Sequence, residues 1–254
     1  PLLLKCQNKN EPIKTDINSE VLVFINSNTV EVKKGKEKLI PYLNHFGIIF
    51  ETIDLAKERI SCRRDKPALI IISHSAITTS AKEKNLIVHL ENYLDACLSS
   101  GTGILSFDPL MPGDYLISSH TMGENDHQVG ELYFSSDKHY ITEYHQGNKE
   151  LFGLMSLPKL SVKKGHVLIT GNNFPLLVVG EEKKGKIVQW TSQDWMYYSV
   201  LGPMGGLDDC LWKSIVWAAR KPFIMRALPP LVTMRVDDVV GAGRQQWNTT
   251  PFQW

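Results

Sequence analysis

Cysteine is scarce and scattered. The four cysteines of the 254-residue chain, Cys6, Cys62, Cys97 and Cys210, form no CxxC pair, which excludes a zinc-ribbon pattern and lends nothing to a disulfide framework. Charge of one sign is missing too. With 28 basic and 27 acidic side chains the formal net charge is +1, so no surface-wide field favours acidic lipid, and no nucleic-acid partner is expected. No apolar run approaches the roughly twenty residues of a membrane-spanning helix, so no transmembrane segment is expected. What is present is a hydrophobic content of 43%, ample for one large domain or two small ones.

The opening stretch, PLLLKCQNKNEPIKTD, runs from a scrap of apolar sequence into polar residues. Residues 1–19 read as a leader, either a remnant of an export signal or a plain disordered segment. Export would make the protein periplasmic, or lipid-anchored through Cys6, although Lys5 stands where such cleavage sites want a small residue.

From residue 20 the pattern becomes regular. VLVFIN (21–26) is a β-branched apolar run that delivers Asn26 to a loop, and KKGKEKLIPYLNHFG (33–47) has helical spacing with Gly47 as its stop. IIFETIDL (48–55), PALIIISHSAI (67–77) and GILSFDP (103–109) read as further strands, with a helix over 83–103 between the last two. Near-continuous apolar strands alternating with helices predict a doubly wound, mostly parallel α/β sheet covered on both faces. Residues 110–160, rich in His, Gly, Ser and Asp, read as loops and extended pieces inserted over the carboxyl edge of that sheet. HVLITGNN is strand-like, PLLVVGEEKKGKIVQWTS (175–192) predicts a β-hairpin with a glycine-containing turn, and LDDCLWKSIVWAARKPF (207–223) a closing helix stopped by Pro222. One α/β domain over 20–226 is expected.

Taken together, the strand order, LENYLDACLSSGTGILSFDP, the hairpin and LWKSIVWAARKPF resemble a class I glutamine amidotransferase-like domain, of the divergent type grouped near trehalose-utilisation proteins. The resemblance covers roughly residues 20 to 223 and implies a flavodoxin-like core. It also implies a cysteine nucleophile, in a Gly-x-Cys-x-Gly elbow after the strand matching GILSFDP, and a His-x-Glu pair late in the chain. Here the elbow position is Asp108 in Ser106-Phe107-Asp108-Pro109-Leu110, and the late region reads Thr191-Ser192-Gln193-Asp194-Trp195. A thiolate needs a base within hydrogen-bond reach, so with both partners absent glutamine hydrolysis is not expected.

Residues 227–254 read as the start of a truncated second domain or as a tail. VTMRVDD resembles the first strand of a polysaccharide-deacetylase-like barrel, whose opening motif is Thr-Phe-Asp-Asp-Gly. That resemblance implies Asp237 as general base and Asp238 as ligand to a divalent metal, with further ligands on a His-x-x-x-His phrase that this sequence does not contain. Apart from that condition no cofactor is expected. The plain alternative is that the two aspartates cap a turn.

Other candidates lie where open α/β sheets place ligands, at the carboxyl ends of strands. Asn26, Ser73, His74, Ser75, Asp108 and Ser192 form the expected sheet-edge pocket. Ser73 and His74 point to opposite faces and cannot easily share a proton. His120, Glu124, Asp126, His127, His139, Glu143 and His145 supply metal-compatible donors, and in HYITEYH residues His139, Glu143 and His145 would share one strand face. Gly202, Gly205 and Gly206 precede the last helix, where backbone amides can cradle an anion. Trp195, Tyr197 and Tyr198 suit sugar stacking if exposed and a core if buried. The leading expectation is a non-catalytic accessory domain of a carbohydrate-active bacterial protein, with a small sugar-like ligand. Its rivals are a hydrolase using Ser75, His120 or the histidine-rich stretch, and a structural domain that forms a homodimer.

Overall fold

The computed structural model describes residues 21–29, 32–58, 60, 66–77, 84–109, 111–113, 115–118, 127–147, 149–196, 198–199, 202–203, 206–221 and 223. In chain order the elements are β1 (Val21–Ile25), α1 (Val32–His45), β2 (Phe50–Asp54), β3 (Leu69–Ile72), α2 (Lys84–Ser99), β4 (Gly103–Ser106), β5 (Ile117–Ser118), β6 (His127–Phe134) and β7 (Lys149–Leu157). There follow β8 (Ser161–Val162), β9 (His166–Gly171), β10 (Phe174–Glu182), β11 (Gly185–Trp190), β12 (Tyr198–Ser199), β13 (Gly202–Pro203) and α3 (Asp208–Ala218).

β5 with β8 and β12 with β13 form two small antiparallel pairs, and the other nine strands form one sheet, in the order β2-β1-β3-β4-β11-β10-β9-β6-β7. Its first five strands are parallel, and from β11 onward every pairing is antiparallel. The sheet is therefore mixed in equal parts rather than mostly parallel, because strands after residue 126 join it. Those strands correct a second expectation. β6 and β7 do not lie over the carboxyl edge: β6 pairs with β9 through Tyr133 and Thr170, and β7 pairs with β6, extending the sheet sideways.

The parallel half is apolar at nearly every position because both its faces are covered. Strands β1, β3 and β4 are buried throughout. Alternate residues serve opposite sides. Val21, Val23, Ile25, Leu69, Ile71 and Leu105 pack with Leu39, Tyr42 and Leu43 of α1 and Leu211 and Ile215 of α3. Leu22, Phe24, Ile70, Ile72 and Ile104 pack with Leu90, Leu94, Cys97 and Leu98 of α2. Helix α1 ends where Gly47, at φ 67°, lets its own N–H reach Asn44 O and that of Ile48 reach Leu43 O. This is the double-bonded glycine stop that a left-handed residue permits. Among the described residues no helix is long and apolar enough to cross a membrane.

Candidate functional site

The parallel strands deliver their carboxyl ends to one edge, and the order of β1, β2 and β3 reverses direction at β1, where open sheets of this kind bind ligands. Asn26, just past β1, spans that switch: its side-chain amide donates to Ala76 O at 3.2 Å, and its Oδ1 accepts from Asn28 N at 3.0 Å. Asp54, at the end of β2, holds the same loop from the other side. Its Oδ1 accepts from Ser27 N at 2.9 Å and Ala56 N at 3.1 Å, and Oδ2 lies 3.3 Å from Lys57 Nζ. Burial alone would raise its pKa, but the hydrogen bonds from Ser27, Ala56 and Lys57 outweigh it and lower the value from 3.8 to about 2. Asp54 was not singled out from the sequence; a lone aspartate ending an amphipathic strand gives no signal of its bonding partners.

After β3, Ser73 and His74 do point apart. Ser73 continues the α1 side, and α1 presses on it so closely that a Cβ added at Gly35 would sit 2.2 Å from Ser73 Oγ. Among the described residues this buried hydroxyl has no hydrogen-bond partner. On the other side, His74 Nδ1 donates to Phe107 O at 3.2 Å. Ser75 adopts φ 55°, so the left-handed turn of this edge follows β3. Asp108, beyond β4, has no positive φ and is fully buried. Its Oδ2 accepts the Ile77 N–H at 2.8 Å, its own N–H donates to Ser106 Oγ at 3.0 Å, and its carbonyl accepts from Gln189 Nε2 at 3.3 Å. The position that would carry a nucleophile thus carries a carboxylate used as a brace between two strand-end loops. Ser192, after β11, also braces, accepting Asp194 N at 3.2 Å.

Beside Ser192 lies a group of buried polar atoms. Both side-chain atoms of Gln193, Trp190 Nε1 and Trp195 Nε1 have no hydrogen-bond partner among the described residues. The two indoles stand 4.9 Å apart, and Trp190 stacks on Phe107. Trp195 is core rather than an exposed platform, 3% accessible and edge-on to Tyr42. Lys38 of α1 closes over the group, donating to Gln193 O at 3.1 Å.

The histidine-rich stretch departs from expectation. Residues 140–147 form turns and His139 just before them lies in no strand, so His139, Glu143 and His145 do not share a strand face. They lie instead along one stripe of α3. His139 packs edge-on to Trp217, Glu143 Oε1 accepts from Lys213 Nζ at 3.1 Å, and His145 Nε2 lies 3.0 Å from Asp209 Oδ2. Positions 217, 213 and 209 are four apart, which aligns them on one helix face. Eight residues span about 12 Å of helix, so His139 and His145 cannot ligate one ion. Burial first, and then the proximity of His166 and Lys186, keep the His139 pKa below the usual histidine range. The structure does bring His145 together with two residues the sequence did not recommend as ligands: donor atoms of His145, Asp209 and Cys210 all lie within 4.8 Å of one another. His127 is elsewhere, stacked on Phe174.

Residues 226–254, with Asp237 and Asp238, lie outside the described residues, as do His120, Glu124, Asp126, Tyr197 and Gly205. Gly202 lies in β13, paired with β12, and Gly206 donates its N–H to Asp208 Oδ2 at 3.0 Å.

No protein-family model matches the chain, and no curated protein matches it either. Solved structures do. A ThuA-like protein from Bacteroides uniformis aligns with a TM-score of 0.51 at 12% identity, covering 82% of this chain and 94% of its own. A ThuA-like protein from Parabacteroides merdae aligns with a TM-score of 0.51 at 8% identity, covering 83% of this chain and 92% of its own. A glutamine amidotransferase from Thermotoga maritima aligns at a TM-score of 0.47 and 11% identity, over 67% of this chain and 73% of its own. At such identities the two ThuA-like likenesses speak for architecture alone, and they show that this chain has a mixed α/β fold like that of the ThuA-like proteins.

Proposed function

We propose that this is a non-catalytic ThuA-like domain that binds a small sugar-like ligand at the carboxyl edge of its sheet, as the accessory module of a bacterial carbohydrate-active protein. The observation that carries the non-catalytic part is Asp108. A nucleophile must be reachable and activated by a neighbouring base, whereas this side chain is 0% exposed and its Oδ2 is hydrogen-bonded to Ile77 N–H. The neighbouring hydroxyl offers no substitute, since Ser73 Oγ is covered by Gly35. Both described cysteines, Cys97 and Cys210, are buried in helices away from this turn.

The ligand class follows from the polar groups gathered at this edge. Asn26, His74, Ser75 and Ser192 stand just past β1, β3 and β11, and His74 and Ser75 are partly exposed there. Amide, imidazole and hydroxyl groups suit the hydroxyls of a sugar-like ligand, whereas Trp190, Gln193 and Trp195 belong to the core at 0–3% exposure. The accessory role is supported by the deacetylase-like phrase VTMRVDD, with Asp237 and Asp238 at its end.

Ammonia release from glutamine by the purified chain tests the non-catalytic part. The rate is expected to equal that of buffer. Turnover that Asp108→Asn or Ser73→Ala abolishes would overturn it.

A further inference from the structure

The turn 140–147 and the first turn of α3 come from segments 64 residues apart in sequence, yet they place three different metal-binding groups side by side. His145 Nε2 lies 3.2 and 3.0 Å from the two oxygens of Asp209. The ring is held in place by Phe134, stacked at 4.7 Å between centroids with 16° between planes. Cys210 follows Asp209 directly and is buried, while Asp209 also lines a surface groove of about 400 Å³ together with Phe46, Asp208 and Trp212. One wall of the cluster is therefore dry and the other opens to solvent.

We propose that His145 Nε2, an Asp209 carboxylate oxygen and Cys210 Sγ bind a single borderline-soft divalent cation of the zinc type, with a fourth position facing the groove. Bonds of about 2.0 Å to nitrogen and oxygen and about 2.3 Å to sulfur place tetrahedral donors roughly 3.3–3.6 Å apart. The His145 and Asp209 atoms, at 3.2 and 3.0 Å, stand within about 0.3 Å of that spacing. Sulfur is within 4.8 Å of both, so about 1 Å of closure completes the site, by side-chain rotation of Asp209 and Cys210 on the helix. A thiolate and an imidazole select zinc or cobalt over magnesium or calcium, which prefer oxygen alone. Three protein ligands and one open position form the arrangement that keeps a water or a ligand group on the metal. Asp208 at the groove adds a second negative charge beside the open position.

The alternative is that His145 and Asp209 form an ordinary ion pair fastening the turn to α3, with Cys210 a core residue. Cobalt(II) titration of chelator-treated full chain separates the two. The site gives a sulfur-to-cobalt charge-transfer band in the near ultraviolet, saturating at one equivalent, reversed by zinc and unaffected by magnesium. The band disappears in Cys210→Ser, and in His145→Gln cobalt affinity falls at least tenfold while the circular dichroism spectrum without metal stays that of the folded parent. Absence of the band in folded protein overturns the proposal. So does a band undiminished in Cys210→Ser, which would place the metal on Cys6, Cys62 or Cys97.

Discussion

Gly35 offers a quantitative check on how α1 seals the carboxyl edge. In a helix interior alanine is favoured over glycine by up to about 1 kcal/mol, so Gly35→Ala on an open face would stabilise the protein. Here the new Cβ meets Ser73 Oγ at 2.2 Å, with Ser73 Cβ next at 3.6 Å. The first distance is a collision unless Ser73 Oγ turns about its one torsion, which a site that leaves it 2% exposed resists, and the second is an ordinary contact. Forcing extra volume into a packed site costs about 1–3 kcal/mol, so Gly35→Ala alone should destabilise by about 0.5–2 kcal/mol once the helix gain is subtracted. Ser73→Ala removes a hydroxyl that has no partner among the described residues, and should be nearly neutral. In the double variant the collision is gone and the helix gain of about 0.5–1 kcal/mol appears. The two changes should therefore couple by about 1–3 kcal/mol in favour of the pair, well outside the roughly 0.5 kcal/mol expected of independent sites. Urea unfolding of the four proteins measures this directly. If Gly35→Ala stabilises the parent as much as it stabilises Ser73→Ala, α1 does not rest on Ser73 and does not cover its hydroxyl.

Three further outcomes are expected. Asp54 has a folded pKa of about 2 against an ordinary 3.8. A depressed carboxylate contributes stability that is present above its unfolded pKa and lost as pH falls through the folded one. Asp54→Asn should accordingly cost on the order of 2 kcal/mol at neutral pH and flatten the stability profile between about pH 4 and pH 2, which thermal melting across that range would show. Glu143→Ala removes the carboxylate paired with the ammonium of Lys213, itself 7% exposed, and leaves the Tyr144 and Tyr140 rings against it; a loss of about 1–3 kcal/mol follows, and unchanged stability would mean that the turn is not fastened to α3. Ser75→Gly relieves a left-handed serine and should stabilise by about 0.5–1 kcal/mol; a destabilised variant would show that the Ser75 side chain carries contacts worth more than the strain.

The parallel strands were legible because burial on both faces writes an uninterrupted apolar run, as in Leu69–Ile72. The stop at Gly47 was legible because its left-handed φ favours glycine. The second half of the sheet was not. β6 reads HQVGELYF with a mixed burial pattern, and a half-exposed strand that pairs with residues far away in sequence looks like a loop until its partner is known. The stretch around His145 was misread for a related reason. Its residues do alternate, but the period is satisfied by contacts along α3 rather than by a neighbouring strand, and no local pattern announces that Glu143 meets Lys213 or that His145 meets Asp209. At the carboxyl edge, sequence pointed to Asn26, Ser73, His74, Asp108 and Ser192 by position. The bracing roles of Asn26, His74, Asp108 and Ser192 depend on backbone partners that only the fold supplies.

Binding at the sheet edge is tested most directly by titrating the protein with a panel of simple saccharides, glucose, N-acetylglucosamine and trehalose among them, while following tryptophan fluorescence in the parent and in His74→Ala. A saturable change with at least one saccharide, lost or shifted at least tenfold in the variant, is the expected result, because His74 is the partly exposed polar ring that follows β3 at this edge. A flat response across the panel, or one indifferent to His74→Ala, would contradict sugar binding at this edge.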